Sequence, residues 1–350
     1  MNRPTGDPES ANGDRPRLLP RREFLKGLSL LGALAVLSPF LPGCFGNDPT
    51  NKERPMTKVS LIKTTDRAQG VRRAIALLGA NPVRGKPVIL KPNFNSADVT
   101  PGSTHIDTLR AMVNNLKEMG AAGITLAERS GPGLPTQTVL EQTGVLALAE
   151  EQHFDVLNLQ EMNDDGWIDL RPEGSHWPNG FRFPRVYAEA ESIVQTCCLK
   201  THAYGGHFTM SLKCSVGMVP GGGQYMRDLH TSDFQREMIA EINTAYATDL
   251  IVLDAVEAFV DSGPARGTRA EPGVMLASSD RVAIDAVGVA ILRDLGTTPE
   301  VSRGRVFEQD QIARAAELGI GAASADEIEL VSDDAAGEAY AARIRDILVA

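Results

Sequence analysis

Two lysines and two histidines fall within fourteen residues near the middle of the chain, between Lys200 and Lys213. The histidines are His202 and His207, and two adjacent glycines lie between them. Lysine side chains attract anions, and a neutral imidazole can bind a metal ion or transfer a proton near neutral pH. A surface loop with scattered polar groups would have the same composition. We nevertheless predict that Lys200, His202 and Lys213 are catalytic, because the segment directly follows an apolar run typical of a buried strand.

Four more candidates stand close to other apolar runs or to a glycine-rich turn. Lys91 and Asn93 follow one short apolar run, and Asp254 ends another. Arg227 follows the glycine-rich turn at residues 217–223. We predict that these four residues bind a ligand. The lysine–proline step could also be a simple turn, and the glycine-rich turn could be a mobile lid, because it lacks the pattern of a phosphate-binding P-loop.

Histidines spread along the chain could hold a metal ion, and the predicted ligands are His105, His202, His207 and His230. Three carboxylates could bind a divalent ion or pair with the lysines of the central segment, namely Asp254, Glu257 and Asp261. The four cysteines contain no Cys-x-x-Cys pair, which disfavours a zinc ribbon or an iron–sulfur cluster built on that spacing. A metal ion is therefore possible, and the identity of any cofactor stays open.

The spacing of apolar residues predicts elements that alternate between strand and helix. The predicted strands span residues 58–63, 87–91, 123–128, 192–199, 249–254 and 328–331. The predicted helices span residues 67–78, 105–119, 280–295, 309–318 and 339–348. We expect Asp280 to cap the helix that follows it, and Asp285, inside that helix, to have a buried partner.

The order of these elements predicts the α/β class, with a mainly parallel central sheet flanked by helices. Three short runs between residues 154 and 184 predict a small inserted β region. We assign residues 57–332 to the domain and residues 333–350 to a C-terminal helical tail. Because ligands bind beyond the carboxyl ends of strands in open parallel sheets, the candidates that follow strands should converge at one edge of the sheet.

Composition argues against one class of partner. The chain has 350 residues, of which 42% are hydrophobic and 23% are charged, as in ordinary globular domains. Its net charge is −10, and aromatic residues make up only 5%. Nucleic-acid binding needs a basic face and often aromatic stacking, so we expect no nucleic-acid partner. An acidic chain can hold an anion only through a local cluster of cations.

The first 44 residues are typical of a twin-arginine secretion signal. Arg21 and Arg22 are followed by two apolar residues, a lysine and a modest apolar stretch at residues 27–41. That stretch is short for a membrane span and contains a proline, which argues against the alternative of a signal-anchor. We predict an exported protein of the periplasm or cell envelope, whose partner during export is the twin-arginine translocation machinery.

A cysteine ends this leader in a sequence similar to a lipobox, Leu41-Pro-Gly-Cys44. We predict that Cys44 is lipidated and that lipid chains anchor the protein at the membrane surface. The alternative is a soluble secreted protein with an incidental cysteine. Residues 45–56 are polar and bracketed by prolines, which is typical of a flexible linker. The twin-arginine route carries folded proteins, which favours a cofactor or metal bound before export.

Motifs spread along the chain together resemble the DUF362 family. They are Val88–Asn93, Thr104–His105, Glu128, Leu199–His202, Ser211–Lys213, Val252–Asp254, Ser262–Pro264 with Gly267, and Ser279–Asp285. The resemblance covers roughly residues 58–331 and implies an α/β domain whose biochemical role is not settled. Some relatives carry a ferredoxin-like cluster domain, whose cysteines this chain lacks. Cys214 stands where the family usually has an asparagine.

Three functions are compatible with these features. The leading hypothesis is an exported protein that binds an anionic ligand, a metal ion or a cofactor in a pocket of lysines and histidines, as a redox or metal-dependent enzyme. The alternative is an envelope lipoprotein that binds a solute or a metal without catalysis. A third is an envelope scaffold whose polar loops are only structural. The same pocket would serve an enzyme and a binding protein, so the sequence does not choose between them.

Overall fold

The structure, a computed structural model, describes residues 56–350, and its centre is a ten-stranded sheet accompanied by a separate pair of strands. The strands are β1 (Thr57–Lys63), β2 (Pro87–Lys91), β3 (Gly123–Glu128), β4 (Asp155–Asn158), β5 (Trp167–Leu170), β6 (Phe181–Pro184), β7 (Ser192–His202), β8 (His207–Thr209), β9 (Leu250–Phe259), β10 (Arg269–Ala270), β11 (Val274–Ser278) and β12 (Ile328–Val331). The signal residues Arg21 and Arg22 and the lipidation candidate Cys44 lie outside the described residues, so their assignments stay predictions.

Helices cover both faces of the large sheet. They are α1 (Arg67–Leu78), α2 (Ile106–Glu118), α3 (Thr136–Gln142), α4 (Val145–Gln152), α5 (Arg185–Ala188), α6 (Ser211–Cys214), α7 (Gly223–Thr231), α8 (Gln235–Ile242), α9 (Arg281–Leu295), α10 (Pro299–Ser302), α11 (Asp310–Glu317) and α12 (Ala335–Val349). None of the helices in the described part of the chain has the length and apolar character that crossing a membrane requires.

The strand order confirms the predicted fold class. Across the sheet the order is β12, β1, β11, β9, β7, β2, β3 and β4, and short β8 and β10 pair with β7 and β9. The neighbours from β9 to β4 are all parallel, as are β12 and β1. Only β11 interrupts this arrangement along the main order, because it runs antiparallel to both β1 and β9. The parallel strands therefore bring their carboxyl ends to one edge.

Side-chain alternation along the central strands divides the apolar core between the two faces of the sheet. On β9, Ile251 and Leu253 belong to the core that contains α9 and α12. Leu250 and Val252 face the opposite way, into the core that contains α1 and α2. The apolar cores on the two faces thus pack against the same central strands. The carboxyl ends of these strands are left to form a site.

The structure revises or adds to the sequence predictions at three places. The strand predicted near residue 155 is not part of an inserted region, because β4 pairs with β3 at the edge of the large sheet. Only β5 and β6 form a separate antiparallel pair. Strand β11 was not predicted, because its short apolar run lies directly before a longer helical pattern. The C-terminal helix predicted as a tail packs against the domain, since Ile344 and Leu348 are buried in the main core.

The two aspartates of α9 have the structural roles expected for them. Asp280 is the N-cap, and its side chain accepts hydrogen bonds from the backbone of Val282 and Ala283. Asp285 is fully buried, and its carboxyl accepts hydrogen bonds from the backbone N–H groups of Ser211 at 2.8 Å and Leu212 at 2.9 Å. Asp285 thus holds the start of the helix that carries Lys213.

Replacing Asp285 tests this contact. In Asp285→Ala, two buried N–H groups at the start of α6 lose their acceptor, and we expect a loss of about 2 kcal/mol or more in the free energy of unfolding. Urea unfolding followed by circular dichroism measures it. Asp346→Ala is the matched control, since Asp346 is an exposed aspartate within α12 and its loss should change stability little. Equal midpoints for the two variants would contradict the role given to Asp285.

Candidate functional site

A cavity of about 300 Å³ lies at the carboxyl ends of β2, β3 and β7 and is closed by β8, α6, α7 and the loops between them. This volume is at the lower end of the range for small-molecule pockets. The structure brings six of the sequence-predicted site residues to its wall: Lys91, Asn93, Lys200, His202, Lys213 and His230. Residues from two strands, two helices and the loop after β2 thus meet around one small volume.

Lys91 and Glu128 form the most buried ion pair of the cavity wall. Lys91 is 2% exposed and ends β2, and Glu128 is 1% exposed and ends β3. The Lys91 Nζ donates to the Glu128 carboxylate at 2.6 Å and to the Pro92 carbonyl at 2.6 Å. The same carboxylate accepts from the backbone N–H groups of Phe94 and Arg129. Glu128 therefore fixes the loops that follow both strands.

Lys200 lies near the end of β7 and is fully buried. Its Nζ donates to the backbone carbonyl of Gly102, which also accepts a long hydrogen bond from the Asn93 amide at 3.4 Å. These are neutral partners. Burial lowers the pKa of Lys200 below its usual value, because it penalises the charged form.

Lys213 is placed by the short helix α6, whose first N–H groups are held by Asp285. Its side chain lines the cavity, and its amine has no hydrogen-bond or ion-pair partner among the described residues. Burial, followed by the nearby charges of Lys200 and Arg129, lowers the pKa of Lys213 from 10.5 to about 8. The neighbouring Cys214 thiolate would act in the opposite direction.

Arg129 is a cation of the cavity that the sequence analysis missed. It is 5% exposed and stands directly after β3. Its guanidinium donates to the backbone carbonyls of Ser130 and Val216, while its Nε has no partner. Burial lowers its pKa to about 10. Like Lys91, Arg129 stands at the end of a buried parallel strand. The criterion that selected Lys91 from the sequence could therefore also have selected Arg129.

His202 and His230 reach the cavity from different elements. His202 is 7% exposed, and its buried Nδ1 has no hydrogen-bond partner. Burial and the adjacent Lys213 and Lys200 hold the pKa of His202 far below its usual value, so the imidazole stays neutral. His230 is exposed at the rim, and its Nδ1 hydrogen-bonds to the Met226 carbonyl at 2.7 Å.

Two glycines let the backbone approach the charged groups closely. A Cβ atom at Gly206 would lie 2.9 Å from the Nδ1 of His202 and 2.9 Å from the Cε of Lys213. A Cβ atom at Gly217 would lie 2.9 Å from the Nζ of Lys91. Gly217 belongs to the glycine-rich segment, which therefore forms part of the cavity wall. The sequence alone suggests only a mobile lid or a weak phosphate-binding pattern for this segment.

Positive charge exceeds negative charge around the cavity. The cationic side chains on its wall are Lys91, Arg129, Lys200 and Lys213, and the anionic side chain on its wall is Glu128. The Cys214 thiol does not add to the negative charge, because burial raises its pKa to about 11. Within the part of the chain that the structure describes, the wall thus leaves an excess of buried cations.

Two predicted ligand-binding residues lie away from the cavity. Asp254 is buried, but it accepts hydrogen bonds from Arg67 of α1 at 2.9 Å and Thr108 of α2 at 2.6 Å, so it ties two helices to β9. Arg227 is exposed on α7. The cavity-lining face of that helix contains Met226 and His230, four residues apart, and Arg227 projects elsewhere.

The four histidines predicted as metal ligands do not converge. His105 is the N-cap of α2, where its Nδ1 accepts a hydrogen bond from the Asp107 N–H at 3.1 Å. His207 lies on β8 and is absent from the cavity wall. Within residues 56–350, no group of three or more His, Cys, Asp or Glu side chains is arranged to hold a metal ion. The other carboxylates predicted as possible metal ligands are also bound to protein groups. Glu257 forms an ion pair with Arg67, and Asp261 accepts a hydrogen bond from Thr268.

Comparisons with known proteins identify a family and distant relatives. The family model described as domain of unknown function (DUF362) matches residues 88–290. Thylakoid-associated protein sll1697 of Synechocystis sp. is 33% identical over 228 residues, which cover 62% of this chain and 67% of that protein.

Two solved structures show distant similarity to this chain. The lactate racemase apoprotein from Thermoanaerobacterium thermosaccharolyticum has 12% identity and a TM-score of 0.41, covering 81% of this chain and 85% of its own. A protein from Thermotoga maritima has 11% identity and a TM-score of 0.37, covering 55% and 50%. These identities and scores are too low to indicate a shared activity.

Glu128→Gln tests whether the carboxylate holds the cavity wall together. The substitution leaves the buried ammonium of Lys91 without a counter-charge, so we expect the free energy of unfolding to fall by about 3 kcal/mol or more. Denaturant titration provides the measurement. Glu151→Gln is the matched control, because the pair of Glu151 with Arg110 is exposed and its loss should have little effect. A Glu128→Gln protein as stable as this control would show that Lys91 does not need its partner.

Proposed function

The chain belongs to the DUF362 family, and because that family has no assigned function, we propose one from the geometry of the cavity. We propose that the protein binds a small carboxylate or phosphate anion between Lys91, Lys200 and Lys213. The observation that supports this proposal is the excess of buried cations over anions on the cavity wall.

An uncompensated buried charge is unfavourable, and a buried cation is normally paired or loses its proton. Lys200 has a carbonyl partner and Lys213 has none, so neither charge is neutralised by the protein. An anion in the cavity would provide the missing negative charge and would strengthen each hydrogen bond, because ionised partners form the stronger ones. The depressed pKa values of both lysines are consistent with this requirement.

Unsatisfied polar atoms on the wall offer further contacts for a ligand. The His202 Nδ1 and the Thr209 Oγ1 are buried without a partner, and both residues line the cavity. Buried polar groups in folded proteins nearly always have a hydrogen-bond partner, which water or a ligand can supply. A neutral imidazole and a hydroxyl can recognise the oxygen atoms of an anion or the polar groups next to them.

The proposal for the ligand does not include a metal ion. The cations that surround the cavity repel a metal, and the described histidines and carboxylates form no ligand group. An enzyme and a binding protein would use the same anion site. The choice between them depends on whether a wall residue reacts with the ligand.

The proposed setting is the periplasm or cell envelope, with export by the twin-arginine machinery and a lipid at Cys44. This part rests on the sequence pattern around Arg21, Arg22 and Cys44 alone.

Lys200→Gln tests the anion site directly. The substitution removes the charge but keeps a donor of similar length, and we expect the affinity for oxalate and for inorganic phosphate to fall by roughly 10- to 100-fold. Isothermal titration calorimetry measures the affinities, and thermal melting confirms that the variant folds. Lys58→Gln removes an exposed lysine of β1 and serves as the control. The proposal fails if neither anion binds the unmodified protein, or if both variants bind equally well.

The affinity for oxalate should depend on pH through Lys213. With a pKa of about 8, Lys213 carries its charge at lower pH and loses it as the pH rises through that value. The positive charges of Lys200 and Arg129 face it, while His202 stays neutral. We therefore expect the affinity to be nearly constant from pH 6 to about 7 and to fall as the pH rises through about 8. In Lys213→Gln this decline should be weaker, and an unchanged pH profile in that variant would exclude Lys213 as its source.

A further inference from the structure

Lys213 differs from the other two lysines of the cavity in its hydrogen bonding. The amine of Lys91 is bound to Glu128 and to a backbone carbonyl, and the amine of Lys200 is bound to Gly102. The amine of Lys213 has no such partner among the described residues, although it lines the same cavity. Two lysines are therefore held in place, and one is free to react.

The position of Lys213 is nevertheless well defined. Asp285 fixes the start of the short helix α6 through two backbone hydrogen bonds. The Lys213 side chain then passes so close to the backbone of Gly206 that a Cβ atom there would lie 2.9 Å from its Cε. The same Cβ atom would lie 2.9 Å from the His202 Nδ1. The amine and the neutral imidazole therefore approach the cavity side by side.

The surroundings of this amine also favour its uncharged form. An amine is a nucleophile only without its proton, and burial or a second cation nearby is the usual means of removing that proton. Lys213 has both, since it is half-buried beside Lys200 and Arg129, and its pKa is lowered to about 8, with burial as the largest cause. A useful fraction of Lys213 is thus neutral near neutral pH, whereas an exposed lysine is almost fully protonated.

We propose that Lys213 forms an imine with a small anion that carries an aldehyde or keto group next to its carboxylate. This inference rests on the proposed anion site, because Lys91 and Lys200 would hold the carboxylate while the carbonyl carbon faces Lys213. It narrows the ligand from any small anion to a 2-oxo acid, and it makes the cavity a reactive site.

The reaction balances without an oxidant, a reductant or a metal ion. The nitrogen of neutral Lys213 bonds to the carbonyl carbon, and the π electrons of the carbonyl move to its oxygen. Proton transfer from nitrogen to oxygen gives a carbinolamine. The carbon–oxygen bond then breaks, and the oxygen leaves as water with the two hydrogens that the amine supplied. His202, a neutral group with one buried nitrogen unpartnered, lines the same cavity beside this amine.

Borohydride trapping with glyoxylate tests the proposal. Glyoxylate is the smallest 2-oxo acid, and borohydride reduces an imine to a stable secondary amine, which leaves a carboxymethyl group on the lysine. Peptide mass spectrometry should locate this group on Lys213 at least about tenfold faster than on exposed Lys58, because the neutral amine is more abundant. At a saturating concentration of glyoxylate, the rate at Lys213 should rise with pH up to about 8 and then level off. Labelling of Lys213 no faster than Lys58 would overturn the proposal.

Glycolate separates this proposal from the anion site on which it depends. Glycolate has the same carboxylate but no carbonyl, so it should bind, compete with glyoxylate and give no adduct. Lys213→Arg keeps the positive charge but has no amine that can form an imine, so it should give no adduct at that position. If glycolate binds and depends on Lys200, yet Lys213 gives no adduct, the imine is excluded and the anion site stands. If glycolate does not bind at all, both proposals fail.

Discussion

Buried positive charge without an equal negative charge is the constraint around which this site is organised. Lysine and arginine side chains are rarely buried unless an acid accompanies them. Here the wall of one small cavity has three buried cations, a half-buried fourth (Lys213) and a single carboxylate, that of Glu128. The carboxylate is already engaged by Lys91 and by two backbone N–H groups, so it has little capacity left for Lys200 or Lys213. The pair of lysines that remains is the basis for the proposed binding of an anion.

The fold makes this arrangement possible by fixing each cation from a different direction. Lys91 and Lys200 extend from adjacent parallel strands, β2 and β7, whose ends meet at one edge of the sheet. Lys213 belongs to α6. The first N–H groups of α6 donate hydrogen bonds to Asp285, a buried aspartate of α9. The cations repel one another, so a folded core is needed to hold them together. The helix layers on both faces of the sheet provide this core.

Sequence reasoning found the part of the site that follows from strand ends. Lys91 and Lys200 are recognisable because each follows a buried apolar run, and the parallel order of the strands predicts that they meet. Arg129 obeys the same rule and was overlooked. His105 and His207 show what local sequence does not predict. His105 caps a helix, and His207 lies away from the cavity wall. The task of Asp254 depends on Arg67, 187 residues away, which no local pattern reveals.

The central claim is that a small anion occupies the space between the buried lysines. The most direct test is a crystal structure of the protein grown with selenate, an oxyanion whose selenium is located by anomalous scattering. The account predicts selenate oxygen atoms within hydrogen-bond distance of the amines of Lys200 and Lys213. Selenate bound only on the outer surface, with the cavity filled by water alone, would contradict it.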